Sequence, residues 1–204
     1  MSFDRTWTEF KNGFGDPNSE DYWIGLEMIH QMTNGQPHEL LLVLRDVFNS
    51  YVIKRYSSFE IGPESDYYRL ALGGVVEDIP PTIDELFKAN GRQFSSHDNG
   101  PKQDCAQRLG GGWWFEDWCQ SPGVLTMPFE NDHRNFHRNG LWWSLRQLDG
   151  VQMLIRDTAY VVPNTKDANA IYYDNEASTV HLNGVLLFGT AFMTLLGLAN
   201  VVAF

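Results

Sequence analysis

The sequence has few cysteines and few cationic residues, and the shortage of cations bears on which partners the protein can bind. Lysine and arginine number 15 against 26 aspartate and glutamate residues in a chain of 204, so the formal net charge is −11. An acidic chain repels nucleic-acid phosphates, and the cations are scattered, with no basic run that would hold an anionic membrane surface. The composition therefore argues against a nucleic-acid partner.

The chain also lacks the short motifs that mark several enzyme classes. It has no Gly-x-Ser-x-Gly elbow and no phosphate-binding glycine loop ending in Lys-Ser or Lys-Thr. His133 and His137 have the i, i+4 spacing of two metal ligands on one helix face, but the run lacks the glutamate of the zinc-protease pattern and carries two arginines. We expect a polar loop at these histidines, and we expect the protein not to be an enzyme.

Features of exported proteins are missing as well. The first seven residues have neither the charged region nor the apolar stretch of a signal peptide, and no Asn-x-Ser/Thr site for glycosylation occurs. We expect either an export signal that lies outside these residues or an incomplete copy of a longer protein.

What the chain does have is enough apolar material for one folded domain. Hydrophobic residues make up 43% of the sequence and aromatic residues 14%, which disordered chains do not reach. Thr6 and Glu9 have the spacing of a capping box and predict a helix that starts there. Further predicted elements are a helix over 21–32 with Trp23, Ile24 and Met28 facing inward, strands over 39–46, 51–59 and 67–74, a mostly irregular stretch over 75–112 with a short helix at 82–90, and an ordered segment over 142–155.

The only two cysteines, Cys105 and Cys119, bracket three glycines and the pair Trp113-Trp114. This spacing indicates a small disulfide-clamped loop, with two buried free thiols as the alternative. A disulfide would imply an oxidising compartment and would stabilise the fold by about 3 kcal/mol. We expect both tryptophans to be core residues rather than a platform for a ligand.

Several motifs along residues 3–157 occur in a characteristic order. They include Lys11-Asn12-Gly13-Phe14-Gly15, Tyr22-Trp23-Ile24-Gly25, Cys105-Ala106, Gly112-Trp113-Trp114 and Asn139-Gly140-Leu141-Trp142. In this order they resemble fibrinogen-like recognition domains, the family of fibrinogen chain ends, ficolins, angiopoietins and tenascins. The resemblance implies an α+β fold: a fibrinogen C-terminal-like domain with a central, mostly antiparallel sheet, short helices and a long loop-rich C-terminal ligand subdomain. It also implies a disulfide between Cys105 and Cys119.

The sequence departs from the family at both ends. Family domains usually begin earlier, with another cysteine pair and a strand that enters the central sheet, so residues 1–157 look like a domain without its N-terminal subdomain. We expect a polar linker over 158–183 and a hydrophobic tail over 184–204. The tail has 21 uncharged residues, enough for a helix of about 31 Å that would span a membrane. A removable GPI signal with small residues near 175–178, a non-native chain end and a core helix are the alternatives.

The resemblance implies a calcium loop just before the first cysteine. Family members place oxygen ligands there, and Asp98, Asn99 and Asp104 are the candidates in this chain. The loop is shorter than usual, and Lys102 adds a positive charge beside these oxygens. A solvated polar loop without calcium is the alternative.

The resemblance also implies ligand contacts around the second cysteine. Phe115, Trp118 and Gln120 are the candidates, with Gln120 standing where the family often has a histidine. The implied function is an extracellular, non-enzymatic module that binds acetylated sugars or a protein partner in innate-immune or adhesive recognition. The alternatives are a signalling or matrix module of the angiopoietin or tenascin type without lectin activity, and a degenerate copy without a ligand. Homo-oligomers and membrane attachment through 184–204 are further expectations.

Overall fold

The computed structural model describes residues 1–16, 21–120, 122–128 and 140–159, and beyond these the backbone of four strands within 171–203. The helices are α1 (Trp7–Asn12), α2 (Leu26–Thr33) and α3 (Gln103–Leu109). The strands are β1 (Phe14–Gly15), β2 (Tyr22–Trp23), β3 (His38–Asp46), β4 (Tyr51–Tyr56), β5 (Phe59–Ile61), β6 (Leu70–Leu72), β7 (Val75–Ile79), β8 (Trp142–Trp143), β9 (Arg146–Asp157), β10 (Ile171–Asp174), β11 (Thr179–Leu182), β12 (Val185–Leu186) and β13 (Leu198–Ala203).

The described strands form one central sheet and two small ones. The central sheet runs in the order β1-β2-β13-β9-β3-β4-β7, and β8 pairs with β9 beside this path. β5 and β6 form a hairpin of their own, and β10, β11 and β12 form a three-stranded sheet. Every pairing between these strands is antiparallel, which confirms the predicted α+β fold with its central antiparallel sheet and short helices.

The capping box predicted from Thr6 and Glu9 is present at the start of α1. The Thr6 hydroxyl accepts a hydrogen bond from the Glu9 backbone N–H, and the Glu9 carboxylate accepts one from the Thr6 N–H at 2.9 Å. Both groups satisfy backbone donors that the first helical turn leaves open. Trp7 and Phe10 lie buried on one face of the helix, as the sequence pattern predicts.

Helix α2 begins later than predicted. The prediction started the helix at residue 21, but Tyr22 and Trp23 form β2, and Gly25 with φ 109° precedes the first helical turn. Trp23 is buried and Ile24 packs partly buried against the core, as predicted, but Met28 is 47% exposed, so the prediction that it faces inward is wrong.

Strand β3 lies in the middle of the described sheet and is buried on both faces. It pairs with β4 from Leu40 to Arg45 on one side and with β9 from His38 to Asp46 on the other. A strand that is covered on both faces has a nearly continuous run of apolar residues in its sequence. The predicted buried strand over 39–46 is thus confirmed.

The stretch predicted to be mostly irregular contains more order than its composition indicates. Val75–Ile79 forms β7 at the edge of the described sheet, and Gln103–Leu109 forms α3. The helix predicted over 82–90 is a single 3-10 turn over Leu86–Ala89.

A cluster of interlocking rings fills the space beside the sheet. The indoles of Trp23 and Trp114 are both buried. The Trp23 indole donates to the carbonyl oxygen of Phe10 at 2.8 Å, and the Trp114 indole donates to that of Tyr68 at 2.7 Å. The rings of Phe94 and Trp114 meet edge to face with centroids 5.0 Å apart. Such pairs add about 1 kcal/mol each beyond the apolar area that they bury.

The glycine run before the paired tryptophans lets the chain approach its neighbours closely. A Cβ atom on Gly111 would lie 2.3 Å from the carbonyl oxygen of Thr126, and one on Gly112 would lie 2.5 Å from the ring of Phe10. Both distances are shorter than a Cβ atom can approach a non-bonded atom, so only glycine fits at these two positions. Trp113 and Trp114 therefore reach the core, which confirms them as core residues.

A buried lysine ties β4 to its neighbours. The Lys54 side chain is 1% exposed, and its ammonium lies 2.7 Å from the Asp78 carboxylate of β7 and 3.1 Å from the carbonyl oxygen of Thr82. It also lies 6.0 Å from the ring centre of Trp143. A buried ammonium requires such partners, since desolvation of an unpaired charge is costly.

Part of the predicted hydrophobic tail belongs to the central sheet. Residues 198–203 form β13, which lies between β2 and β9, so a helix over 184–204 is wrong for these six residues. Within the part of the chain that the structure describes, no helix is long and apolar enough to cross a membrane. The candidate GPI site at 175–178 and the pair His133 and His137 lie outside the described residues, and the boundaries at 158 and 184 stay predictions.

Candidate functional site

The predicted disulfide joins α3 to the loop that follows the paired tryptophans. Cys105 and Cys119 are bonded, with their Cα atoms 5.3 Å apart, which is an ordinary separation for bonded cysteines. The Cys105 side of the bond is fully buried in the core. The bond therefore anchors residues 116–120, which we call the Trp118 loop.

The Trp118 loop carries the most exposed tryptophan of the described residues. The Trp118 side chain is 80% exposed, whereas Trp7, Trp23, Trp113, Trp114 and Trp143 are buried. Burial of apolar surface is favourable by about 25 cal/mol for each Å² removed from water, and a ring in water forgoes this free energy. An exposed tryptophan on an ordered loop is therefore a candidate contact for a partner.

Charged side chains hold this loop on both sides of the tryptophan. The Asp117 carboxylate lies 3.2 Å from the Arg92 guanidinium and 3.4 Å from the Lys102 ammonium. The charge of Arg92, with help from Lys102, holds the pKa of Asp117 below its ordinary value. On the other side, the Arg108 guanidinium donates to the carbonyl oxygens of Trp118 at 3.4 Å and Cys119 at 3.1 Å.

The backbone of the loop turns sharply at the second cysteine. Cys119 has φ 48°, in the left-handed region, and its N–H donates to the carbonyl oxygen of Glu116 at 3.3 Å. Residues other than glycine enter this region rarely and at a cost in energy, so surrounding contacts must hold them there. Here the disulfide and Arg108 supply those contacts.

The other two predicted ligand-binding residues differ in accessibility. Gln120 is exposed at the end of the Trp118 loop, and its amide can both donate and accept hydrogen bonds. Phe115 is 2% exposed and packs in the core, so its ring is covered by the protein itself. The structure thus exposes both Trp118 and Gln120 but leaves Phe115 buried.

The predicted calcium ligands lie in residues 96–104, which we call the Asp98 loop. The Asp98 carboxylate accepts hydrogen bonds from the backbone N–H of Trp7 and the hydroxyl of Ser96, both at 2.7 Å. Burial works to raise the pKa of Asp98, but these two hydrogen bonds hold it below its ordinary value. Asp98 therefore caps the start of α1 electrostatically, a role that joins residues 91 positions apart.

The other two calcium candidates have different surroundings. The Asn99 side-chain oxygen accepts from the N–H of Gly100 at 2.8 Å. Asp104 is exposed in the first turn of α3, and its carboxylate lies within 4.8 Å of the sulfurs of Cys105 and Cys119. Those sulfurs are bonded to each other, so they are not thiolate ligands.

Lys102 and two histidines of the described residues have partners other than the calcium candidates. Lys102, which the sequence places beside the calcium candidates, reaches Asp117 instead. The His97 ring lies 2.9 Å from the Asp4 carboxylate, and the His30 ring lies 2.8 Å from the carbonyl oxygen of Ile61. Calcium binding at Asp98, Asn99 and Asp104 stays a prediction.

Sequence reasoning missed the residues that hold the Trp118 loop. Arg92, Lys102 and Arg108 are ordinary surface cations in the sequence, and only the fold brings them to residues 116–120. The single signal available was the disulfide, because it predicts that the segment with Cys105 lies against the segment with Cys119.

Comparison with known proteins gives a consistent result. The family model described as fibrinogen beta and gamma chains, C-terminal globular domain, matches residues 1–159. Angiopoietin-related protein 1 from Mus musculus is 33% identical over 164 residues, which cover 76% of this chain and 33% of that protein. Angiopoietin-related protein 6 from Mus musculus is 35% identical over 148 residues, covering 71% and 31% of the two proteins. The chain thus spans about a third of the length of these relatives.

Solved structures show the same similarity in three dimensions. The fibrinogen-like globe domain of human ANGPTL6 superposes with a TM-score of 0.66 at 32% identity, over 78% of this chain and 74% of that one. A lamprey fibrin D-dimer, complexed with a peptide ligand, has a TM-score of 0.61 at 23% identity over 81% and 60% of the two proteins. At that identity the second similarity concerns the fold alone.

Proposed function

Because the protein belongs to the family of C-terminal globular domains of the fibrinogen beta and gamma chains, we propose that it is an extracellular, non-enzymatic recognition module that binds a protein partner through the Trp118 loop. The angiopoietin-related similarity supports a recognition or signalling role of this kind. The disulfide between Cys105 and Cys119 supports an oxidising, extracellular setting.

One observation carries the proposal: a nearly fully exposed tryptophan stands on a loop that is held in place from several sides. Trp118 is 80% exposed, while Asp117 and the carbonyl oxygens of Trp118 and Cys119 are bound by cations of the protein. A side chain on a held loop loses little conformational entropy when a partner covers it. Tryptophan is also among the residues that most often carry the binding energy of an interface.

A protein partner fits this surface better than a deep small-molecule site would. Phe115 lies covered in the core, so it is not available as the wall of a pocket beside Trp118. The Asp117 carboxylate is paired with Arg92 and Lys102, and the exposed indole is the main apolar contact of the loop. Such an arrangement resembles a flat interface with one aromatic anchor and a polar rim.

A second candidate is the binding of acetylated sugars. Gln120 is exposed two residues after Trp118, and its amide offers hydrogen bonds to the hydroxyl and acetamido groups of a glycan. Innate-immune recognition would follow from this ligand class, whereas a protein partner fits adhesion or signalling of the angiopoietin or tenascin type.

The test measures binding of the full chain to two panels, one of extracellular protein ectodomains and one of immobilised glycans with N-acetylated sugars. We expect at least one ectodomain to bind, and Trp118→Ala to weaken that binding by about tenfold or more. Phe87→Ala is the matched control, because Phe87 is an aromatic residue that is 65% exposed outside the loop.

The outcomes separate the candidates. Binding to an ectodomain that Trp118→Ala weakens and Phe87→Ala does not supports a protein partner. Selective binding to acetylated sugars that both Trp118→Ala and Gln120→Ala weaken supports the glycan alternative. Equal loss in Phe87→Ala would contradict a site at the Trp118 loop. A folded sample that binds neither panel would support a degenerate copy without a ligand.

A further inference from the structure

The dipeptide Asn-Gly occurs six times in the chain. It is chemically labile, because the backbone nitrogen of the glycine can attack the side-chain amide carbon of the asparagine, and glycine has no side chain that hinders this attack. Four of the six pairs lie wholly within the described residues: Asn12-Gly13, Asn34-Gly35, Asn90-Gly91 and Asn99-Gly100. The sequence alone does not separate these four pairs, but their surroundings in the fold do.

The pair at 90–91 is held by hydrogen bonds at both reacting groups. The Gly91 N–H donates to the carbonyl oxygen of Leu70 at 2.8 Å. The Asn90 side-chain amide donates to the Leu72 carbonyl oxygen at 3.0 Å and accepts from the Leu72 N–H at 2.9 Å. Attack would require the nitrogen and the amide to leave these partners together, which needs a local opening of the fold.

The pairs at 12–13 and 99–100 are held at the glycine nitrogen. The Gly13 N–H donates to the carbonyl oxygen of Glu9 at 2.8 Å, at the end of α1. The Gly100 N–H donates to the side-chain oxygen of Asn99 itself at 2.8 Å. A hydrogen bond retains the proton that the nitrogen must lose before it attacks, so both of these pairs are protected as well.

The pair Asn34-Gly35 differs from the other three. Both residues are exposed in the turn that follows α2. Within the described part of the chain, neither the Asn34 side-chain amide nor the Gly35 N–H has a hydrogen-bond partner. A Cβ atom on Gly35 would find nothing within 4 Å, so the two reacting groups also have room to move.

We propose that Asn34 is a site of spontaneous deamidation in the folded protein. Base removes the Gly35 amide proton, and the nitrogen forms a bond to the side-chain amide carbon of Asn34, from which ammonia leaves. The cyclic succinimide that results then takes up water at either of its two carbonyl carbons. The products are aspartate and isoaspartate, and the net reaction consumes water and releases ammonia, with no oxidant or reductant needed.

The position of Asn34 gives this modification a structural consequence. The Asn34 N–H donates to the His30 carbonyl oxygen at 2.8 Å, so the residue closes the C-terminal end of α2. The new carboxylate lies at the negative end of the helix dipole, where an anion is unfavourable. Isoaspartate also adds a methylene group to the backbone between α2 and β3, a strand in the middle of the described sheet. Deamidation therefore destabilises the connection between these two elements.

The test follows deamidation at each of the four pairs in the same sample. The full chain is incubated in mildly alkaline buffer, either folded or unfolded in guanidinium, and peptides from an acidic digestion are weighed by mass spectrometry. In the unfolded chain we expect the four pairs to react at similar rates. In the folded protein we expect Asn34 to react about tenfold or more faster than Asn12, Asn90 and Asn99, since those pairs must first break hydrogen bonds. If Asn34 reacts no faster than Asn90 in the folded protein, the proposal is wrong.

A second measurement separates this route from direct hydrolysis of the amide. Only the succinimide gives isoaspartate, which a carboxyl methyltransferase specific for isoaspartate labels. We expect isoaspartate at residue 34 and a slower reaction in Gly35→Ala, because the added methyl group hinders attack by the nitrogen. Asn12→Gln is the matched control, since it removes another exposed asparagine before a glycine and should leave the rate at Asn34 unchanged. Aspartate alone at residue 34, or an unchanged rate in Gly35→Ala, would overturn the mechanism.

Discussion

The two loops on either side of α3 use similar residues in opposite ways. In the Asp98 loop, the exposed Asp98 and the half-buried Asn99 accept hydrogen bonds from backbone N–H groups of the protein itself. The Trp118 loop uses its polar groups to hold a tryptophan outward. The first loop thus uses polar groups for contacts within the protein, whereas the second uses them to support an exposed apolar ring.

The difference also shows where each loop is anchored. The Asp98 loop is attached to α1 through a carboxylate, an interaction that depends on pH. The Trp118 loop is attached to α3 through a covalent bond and through Arg108. The two loops should therefore respond differently to reduction, to acid and to substitution.

Among changes to the two loops, the largest effect on stability is expected from removing the disulfide. Cys105→Ala combined with Cys119→Ala should lower the free energy of unfolding by about 3 kcal/mol, because a constraint on the unfolded state is lost. Guanidinium denaturation measures this change. Wild-type protein in a strong reductant is the control and should lose about as much; a loss below about 1 kcal/mol in both samples would show that the bond does not anchor the Trp118 loop to the core.

A smaller effect is expected from the carboxylate of the Asp98 loop. Asp98→Ala should cost about 1 kcal/mol near neutral pH, because two hydrogen bonds are lost. Asp98→Asn keeps one acceptor oxygen and should cost less.

The pH dependence of this effect has a definite sign. Since the folded state lowers the pKa of Asp98, its carboxylate stabilises the protein above its ordinary pKa of about 4, and the contribution is lost as the pH falls through the folded value. Unfolding curves of wild type and Asp98→Ala should therefore converge in acid. A difference that persists below both pKa values would point to packing rather than charge.

The calcium candidates give a third test of the difference between the two loops. If the Asp98 loop binds calcium, millimolar calcium should raise the melting temperature, whereas a solvated polar loop predicts a change of less than about 1 °C. Thermal melts with calcium and with a chelator measure the change. A clear rise that Asp98→Ala abolishes would show that the Asp98 loop binds the ion after all.

The smallest effect on stability is expected at Trp118 itself. Trp118→Ala should change the free energy of unfolding by less than about 0.5 kcal/mol, because an exposed ring makes little packing contact with the core. Trp114→Ala is the contrast, with an expected loss of about 4 kcal/mol for a buried tryptophan. Similar losses in the two variants, measured by denaturation, would mean that the ring of Trp118 is covered in solution.

Local patterns allowed much of the fold to be predicted. The capping box of Thr6 and Glu9 and the apolar run of β3 are encoded by neighbouring residues, and both are present. β7 and α3 were missed because their order comes from elsewhere. β7 is largely exposed and depends on its pairing with β4, and α3 has no side-chain cap, since it is held through Cys105.

The candidate site was predictable only in part. Phe115 and Trp118 are three positions apart and equally apolar in the sequence, yet one is buried and the other exposed, because the backbone leaves the core between them. Asp98 has a partner at Trp7 that no local pattern reveals. The disulfide, by contrast, followed from family resemblance, which carries information about distant pairs.

The glycines before the paired tryptophans set the distance between layers of the protein. Gly111 faces the backbone of Thr126 and Gly112 faces the Phe10 ring, both too closely for any side chain. Gly35, Gly74 and Gly91 have open space around the same position. In a library covering every substitution, the first two sites should therefore accept almost nothing, and Gly74, which has no left-handed φ, should accept many residues. Tolerance at each glycine would then report the spacing of the core from genetic data alone.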